Sequence, residues 1–316
     1  MKRLLPLLFI ALCLTACNNE TIIANDAIDA KTRNIIKQKN DSIMLGLKTG
    51  SQRIFKNIAT EYFMNNIQVQ TKNLYRALRR LDGYKVYDQY EVSGKKAFDL
   101  VHIPNEKKRY TYSYTAGAAT SFVCIMELEM GKDTGAVAAM YALVDNQWKL
   151  DRLDAFMLTA DGKTAIELYE EGKKAEKAGN TYECVYYAAN AAQMIETYKN
   201  TGFEPDNARK IILFKKNIEN QLIDFPYTLE NVPGKPVLTG IFTQPREGGK
   251  FHYAISYETK TPVSNLAALS KEYDLVKAEV KKVFSGINFD KSLYEFKALN
   301  IDAAEDRITD SYIFTY

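Results

Sequence analysis

The chain has 316 residues, of which 42 are Lys or Arg, 39 are Asp or Glu and 2 are His, and 46% of it is hydrophobic. That apolar content suffices for the cores of one to three small domains and excludes global disorder. Once Lys2 and Arg3 leave with a leader the formal charge is about +1, a balance that speaks against a nucleic-acid partner, which needs a concentrated basic patch.

Lys2 and Arg3 precede the apolar run Leu4 to Leu14, the charged head and apolar core of a secretory signal, too short for a comfortable spanning helix. The run closes with Leu14-Thr15-Ala16-Cys17, which resembles the lipobox of bacterial lipoproteins. The resemblance implies that residues 1–16 are a signal peptide and that Cys17 becomes the new N-terminus, acylated on sulfur and amine. Several acyl chains add up the burial of their methylene groups, whereas a single chain holds a protein only marginally. Asn18, rather than Asp, follows the cysteine, which by the sorting rules of enteric lipoproteins implies the outer membrane of a bacterial envelope. The alternative is an ordinary cleaved leader followed by a free cysteine. Cys13 leaves with the leader, so a disulfide framework is excluded; Cys124 and Cys184 are either separate buried thiols, one bridge, or a reactive group.

Residues 17–41 mix Asn, Asp, Thr and Lys with scattered Ile and fit a tether, part of which could form a first helix. Residues 42–158 read as an N-terminal α+β domain. Ile54, Ile58, Tyr62 and Phe63, then Leu74, Leu78 and Leu81, recur at helical spacing, with Gly83 as a stop. Arg76, Arg79 and Arg80 complement the end of that helix, or form a site for phosphate or an acidic partner. The period then falls to two, predicting strands through Val86 to Val92, Tyr110 to Tyr114, Phe122 to Met130, Val137 to Val144 and Trp148 to Leu153. Ile103-Pro104-Asn105, Gly131-Lys132-Asp133 and Asp145-Asn146-Gln147 read as turns. Helices followed by a curved antiparallel sheet predict an α+β fold with helices on one sheet face. This order resembles the nuclear-transport-factor-2-like superfamily, which implies a cone-like fold and no particular activity.

Residues 159–225 read as a helical segment, with small-residue stripes on either side of Gly179-Asn180. Leu168, Gly172, Gly179, Cys184 and Ala191 resemble a single tetratricopeptide unit; Glu196 stands where that family has proline, and no second copy follows, so the resemblance implies a helical hairpin rather than a solenoid. Pro226, Pro233, Gly234 and Pro236 mark a junction, after which residues 226–316 read as a C-terminal α+β segment. Its strands are Leu238 to Phe242, Phe251 to Tyr257, Leu293 to Leu299 and Ile308 to Tyr316, its helix Leu266 to Phe284, and it either stands alone or completes the first domain.

The chemistry is sparse. His102 and His252 have no metal-ligand neighbour at a recognised spacing, and Gly-Xaa-Ser-Xaa-Gly, the phosphate-cradling loop and the dinucleotide fingerprint are absent, so no metal or cofactor is expected. Glu127 with Glu129, and Asp151 with Asp154, are the carboxylate pairs that glycoside hydrolysis would require; a solvated sheet face explains the glutamates as well. Asp302, Glu305, Asp306 and Asp310 lack calcium-loop spacing. The excess lies in 21 tyrosines. Tyr84, Tyr87 and Tyr90 are clustered, as are Tyr182, Tyr186, Tyr187 and Tyr198, while Tyr110, Tyr112 and Tyr114 share one strand face, either packing inward or presenting a platform for glycan or peptide. The reading is a lipid-anchored, exported protein that binds an envelope protein or glycan, or supports an envelope assembly. The alternative is a carboxylate-dependent hydrolase of glycan or peptidoglycan.

Overall fold

A computed structural model describes residues 20–69, 71, 83–246, 251–284, 286, 287, 289, 293–302 and 307–315. The leader with Cys17, the predicted helical positions Leu74, Leu78 and Leu81, the basic cluster of Arg76, Arg79 and Arg80, and Glu305 and Asp306 lie outside the described residues. The fold is α+β.

Strand β1 (Thr21–Ala24) and a 3-10 turn (Asn25–Ala27) lead into helix α1 (Ala30–Thr49). Residues 21–41 are therefore not a tether but strand, turn and helix. Asp29 caps α1 by accepting from the Thr32 amide at 2.9 Å, and Ile36, Asn40, Ile43 and Leu47 bury one face at steps of three and four. Gly50, at φ 69°, ends the helix in the left-handed conformation. Two short helices follow, α2 (Gln52–Ile58) and α3 (Glu61–Asn65).

The strands then arrive as β2 (Lys85–Ser93), β3 (Leu100–Asn105), β4 (Tyr110–Thr115), β5 (Thr120–Met130), β6 (Asp133–Val144) and β7 (Gln147–Met157). Asp145 and Asn146 both take positive φ, 49° and 56°, the twist a two-residue hairpin requires. Ile103-Pro104-Asn105 is strand rather than turn: Pro104 lies opposite Thr111 on the outermost strand of its sheet, where a missing N–H is tolerated. Next come α4 (Ala165–Lys177), α5 (Thr181–Tyr198), β8 (Phe203–Pro205), α6 (Ala208–Glu219), β9 (Tyr227–Thr228), β10 (Val237–Pro245), β11 (Phe251–Glu258), α7 (Leu266–Val283), β12 (Leu293–Asp302) and β13 (Arg307–Thr315).

The chain divides into two compact units. The first comprises residues 1–164 and 194–206, the second 165–193 and 207–316. In the first, an antiparallel sheet runs β1-β2-β5-β6-β7. On one face α1, α2 and α3 enclose a core that includes Phe55, Phe63, Phe122, Cys124, Tyr141 and Trp148. The small sheet β3-β4-β8 lies over the other face, where Tyr110 and Phe203 stack at 4.7 Å and Phe203 and Phe156 at 4.6 Å. Gly202 admits β8: a Cβ there would lie 1.9 Å from the Ser113 carbonyl oxygen, while its own N–H donates to Asp154 at 3.1 Å.

In the second unit the sheet runs β13-β12-β11-β10-β9. The pair β11–β12 is parallel, which is why the eighteen-residue helix α7 separates those strands: a parallel pair needs a crossover rather than a hairpin. Leu269, Tyr273, Val276 and Val280 of α7 bury against Tyr253, Ile255, Tyr257 and Phe296. Gly172 lets α4 come close to its neighbours; a Cβ there would meet Phe214 at 3.0 Å and Tyr187 at 3.4 Å.

Candidate functional site

Strand β2 is longer than the strand beside it. β1 pairs with it from Thr21 opposite Ser93 to Ala24 opposite Tyr90, and then the chain turns away. Among the described residues no strand pairs with Lys85–Gln89 on that side. A bulge between Val86 and Asp88 adds twist to this stretch. Two adjoining cavities border the free edge and share Val86 and Gln89. One, of about 710 Å³, is lined by Asn25, Asp26, Asp88, Tyr90 and the β3–β4 turn from Pro104 to Lys108; the other, of about 440 Å³, lies against Arg33, Lys37, Asn40, Asp41 and Tyr84.

Asp88 organises the floor of the larger cavity. It occupies an inward position of β2, in step with Tyr90 and Val92, and is buried. One carboxylate oxygen accepts from the Asn25 amide at 3.1 Å; the other accepts from the Tyr110 hydroxyl at 2.7 Å, the Asn105 amide at 3.3 Å and the Lys108 ammonium at 3.0 Å. Asn105 also donates to the Tyr90 hydroxyl at 2.8 Å, and Lys108 sits 3.6 Å over the Tyr87 ring. A buried charge survives only when paired and hydrogen-bonded, and the partners here come from the 3-10 turn, from the β3–β4 connection and from β4. Burial, with the neighbouring Tyr90 and Asp88, pushes the Tyr110 hydroxyl far above its ordinary pKa, so it remains a donor.

The free backbone edge is occupied by side chains. The Asn25 carbonyl oxygen accepts from the Gln89 N–H at 3.0 Å, and the Lys108 ammonium donates to the Tyr87 carbonyl. With those outward groups satisfied, the edge offers poor hydrogen bonding to an added peptide strand. What it offers instead is a polar rim of amides and charges around a floor fixed by hydrogen bonds.

Tyr110, Tyr112 and Tyr114 do share a face, but that face points inward. Their exposures are 2%, 0% and 3%, so they present no open platform. Their hydroxyls are consumed: Tyr110 on Asp88, Tyr112 on Asp154 at 2.9 Å, and Tyr114 with the Ser121 hydroxyl at 2.6 Å. Burial pushes the Tyr114 hydroxyl up to about 12. Among the described residues neither carboxylate pair shares a hydrogen-bond partner, although Arg152 lies near both aspartates and Lys85 near both glutamates. Asp154 is held by Tyr112, by the Arg152 Nε at 3.1 Å and by Gly202, whereas Asp151 accepts from the Thr60 hydroxyl at 2.9 Å and is raised in pKa by burial. Glu129 is exposed and pairs with Lys85, on the same side of β5 as Glu127. His102 bonds the Ser113 hydroxyl at 2.8 Å, and His252 lies between Arg246 and Glu295. Cys124 and Cys184 are free and buried, and burial pushes each thiol up to about 12, away from the reactive range.

Asp88, Asn105, Lys108 and Gln89 carry the cavity and belong to no recognised sequence motif. The available signal was parity: Asp88 is a carboxylate in a position where the strand's alternation calls for an apolar residue. No protein-family profile, no curated protein and no solved structure matches this chain.

Proposed function

We propose that the protein is an exported, lipid-anchored glycan-binding protein of the bacterial envelope, with its binding groove along the free edge of β2. The observation that carries this reading is that edge itself: its backbone groups are capped by Asn25 and Lys108, while Gln89, Asn105, Lys107 and Lys108 line the adjoining cavity. Planar amide and charged side chains held by a fixed network suit ligands rich in hydroxyls, because the groups are already oriented and little ordering cost remains. Anchoring rests on the apolar run Leu4 to Leu14 and on Cys17, which acylation would attach to the outer membrane.

The test is calorimetric titration of the full-length protein in detergent with neutral and acidic envelope oligosaccharides. Gln89→Ala and Lys107→Ala should each weaken binding about tenfold, a loss near 1.4 kcal/mol, with an unchanged circular dichroism spectrum. If wild-type protein binds none of the oligosaccharides, the reading fails. If it cleaves them, the hydrolase takes its place. Anchoring is tested separately by membrane fractionation, where Cys17→Ala should release the protein.

A further inference from the structure

We propose that the groove is selective for acidic sugars and that Arg33 reads their carboxylate; this rests on the glycan-binding reading above. Arg33 stands in the first turn of α1 and lines the smaller cavity. Its Nη1 donates to Asp26 at 2.7 Å, and Asp26 in turn lines the larger cavity, so this ion pair stands where the two cavities adjoin. The Asp26 side chain is 98% exposed and easily displaced or re-oriented, while that of Arg33 is only 33% exposed. The Arg33 Nε is buried and meets no acceptor among the described residues. Because Nε is shut in, the part of the guanidinium that an anion would meet is the Nη side now on Asp26, planar N–H donors that match the two oxygens of a carboxylate, a fit that a sugar hydroxyl cannot reproduce. Lys37 and the Tyr84 hydroxyl already converge on Asp41, at 2.8 Å each, on the same cavity wall, so the added positive charge around an incoming anion falls to Arg33.

The experiment titrates full-length protein with an oligogalacturonate and with the same oligomer after reduction of its carboxyl groups to alcohols. Wild type should bind the acidic form about tenfold more tightly. Arg33→Gln should erase that preference, so that the acidic and neutral oligomers bind alike, and Arg33→Lys should restore only part of it, since an ammonium lacks the planar donors. Equal binding of both oligomers by wild type, or a preference that survives Arg33→Gln, overturns the assignment to Arg33 and leaves the groove reading intact. Failure of wild type to bind either oligomer, or any envelope oligosaccharide, overturns both.

Discussion

Two aspartates of the first unit, Asp88 buried and Asp151 half-buried, behave differently because their surroundings differ. Asp88 is met by Asn25, Asn105, Tyr110 and Lys108, so Asp88→Ala removes one acceptor and strands several donors. The expected loss is about 3 kcal/mol in urea unfolding, with Asp88→Asn costing less because it keeps an acceptor of the same size. Asp151 has the Thr60 hydroxyl as its hydrogen-bond partner, and burial raises its folded pKa above the unfolded value. As pH rises the unfolded chain therefore loses this proton first, and stability falls through the window from the unfolded to the folded pKa. Asp151→Asn keeps an acceptor for Thr60 and removes that penalty. The variant should be more stable than wild type at about pH 7 and should show no such gain at about pH 3, measured by denaturant unfolding at both values.

Among the elements, β8 is short but demanding. Its entry depends on Gly202, whose missing side chain lets the chain lie against the Ser113 carbonyl. Gly202→Ala should cost about 3 kcal/mol through overpacking, seen as a lowered Tm. The long strands β5, β6 and β7 were legible from the sequence, β7 by its alternation, β5 and β6 as apolar runs that are buried on both faces, with Asp145-Asn146 supplying the turn. Helix α1 was largely hidden: its apolar residues are spaced correctly but diluted by Lys, Asn and Gln, which looks like a tether until Ile28, Ile36 and Ile43 are seen to bury together. β3 was hidden by Pro104, and β8 is three residues long, too short for any period to show. Of the groove only the out-of-pattern Asp88 showed in the sequence, because the groove exists only where β1 stops short of the end of β2, a matter of pairing rather than of local pattern.

At the scale of the molecule, each unit has its own sheet and core, yet neither is a continuous stretch of chain. A fragment ending at Thr164 lacks residues 194–206, and with them Phe203 and Tyr198, which pack against Tyr110 and Phe156. Such a fragment should bind a hydrophobic dye that the full chain does not, and adding a peptide of residues 194–206 should suppress the signal; a fragment that is dye-negative on its own would contradict this. The helix α5 is unbroken, yet it belongs to the second unit as far as Gln193 and to the first from Met194 onward. As the chain leaves the ribosome, the main sheet of the first unit is therefore made long before its last strand, and residues 165–193 must emerge in between. A translational pause within that interval would leave the tyrosines of β4 without their cover, so the timing of synthesis, and not only the final contacts, governs whether this surface is exposed to chaperones or to other chains.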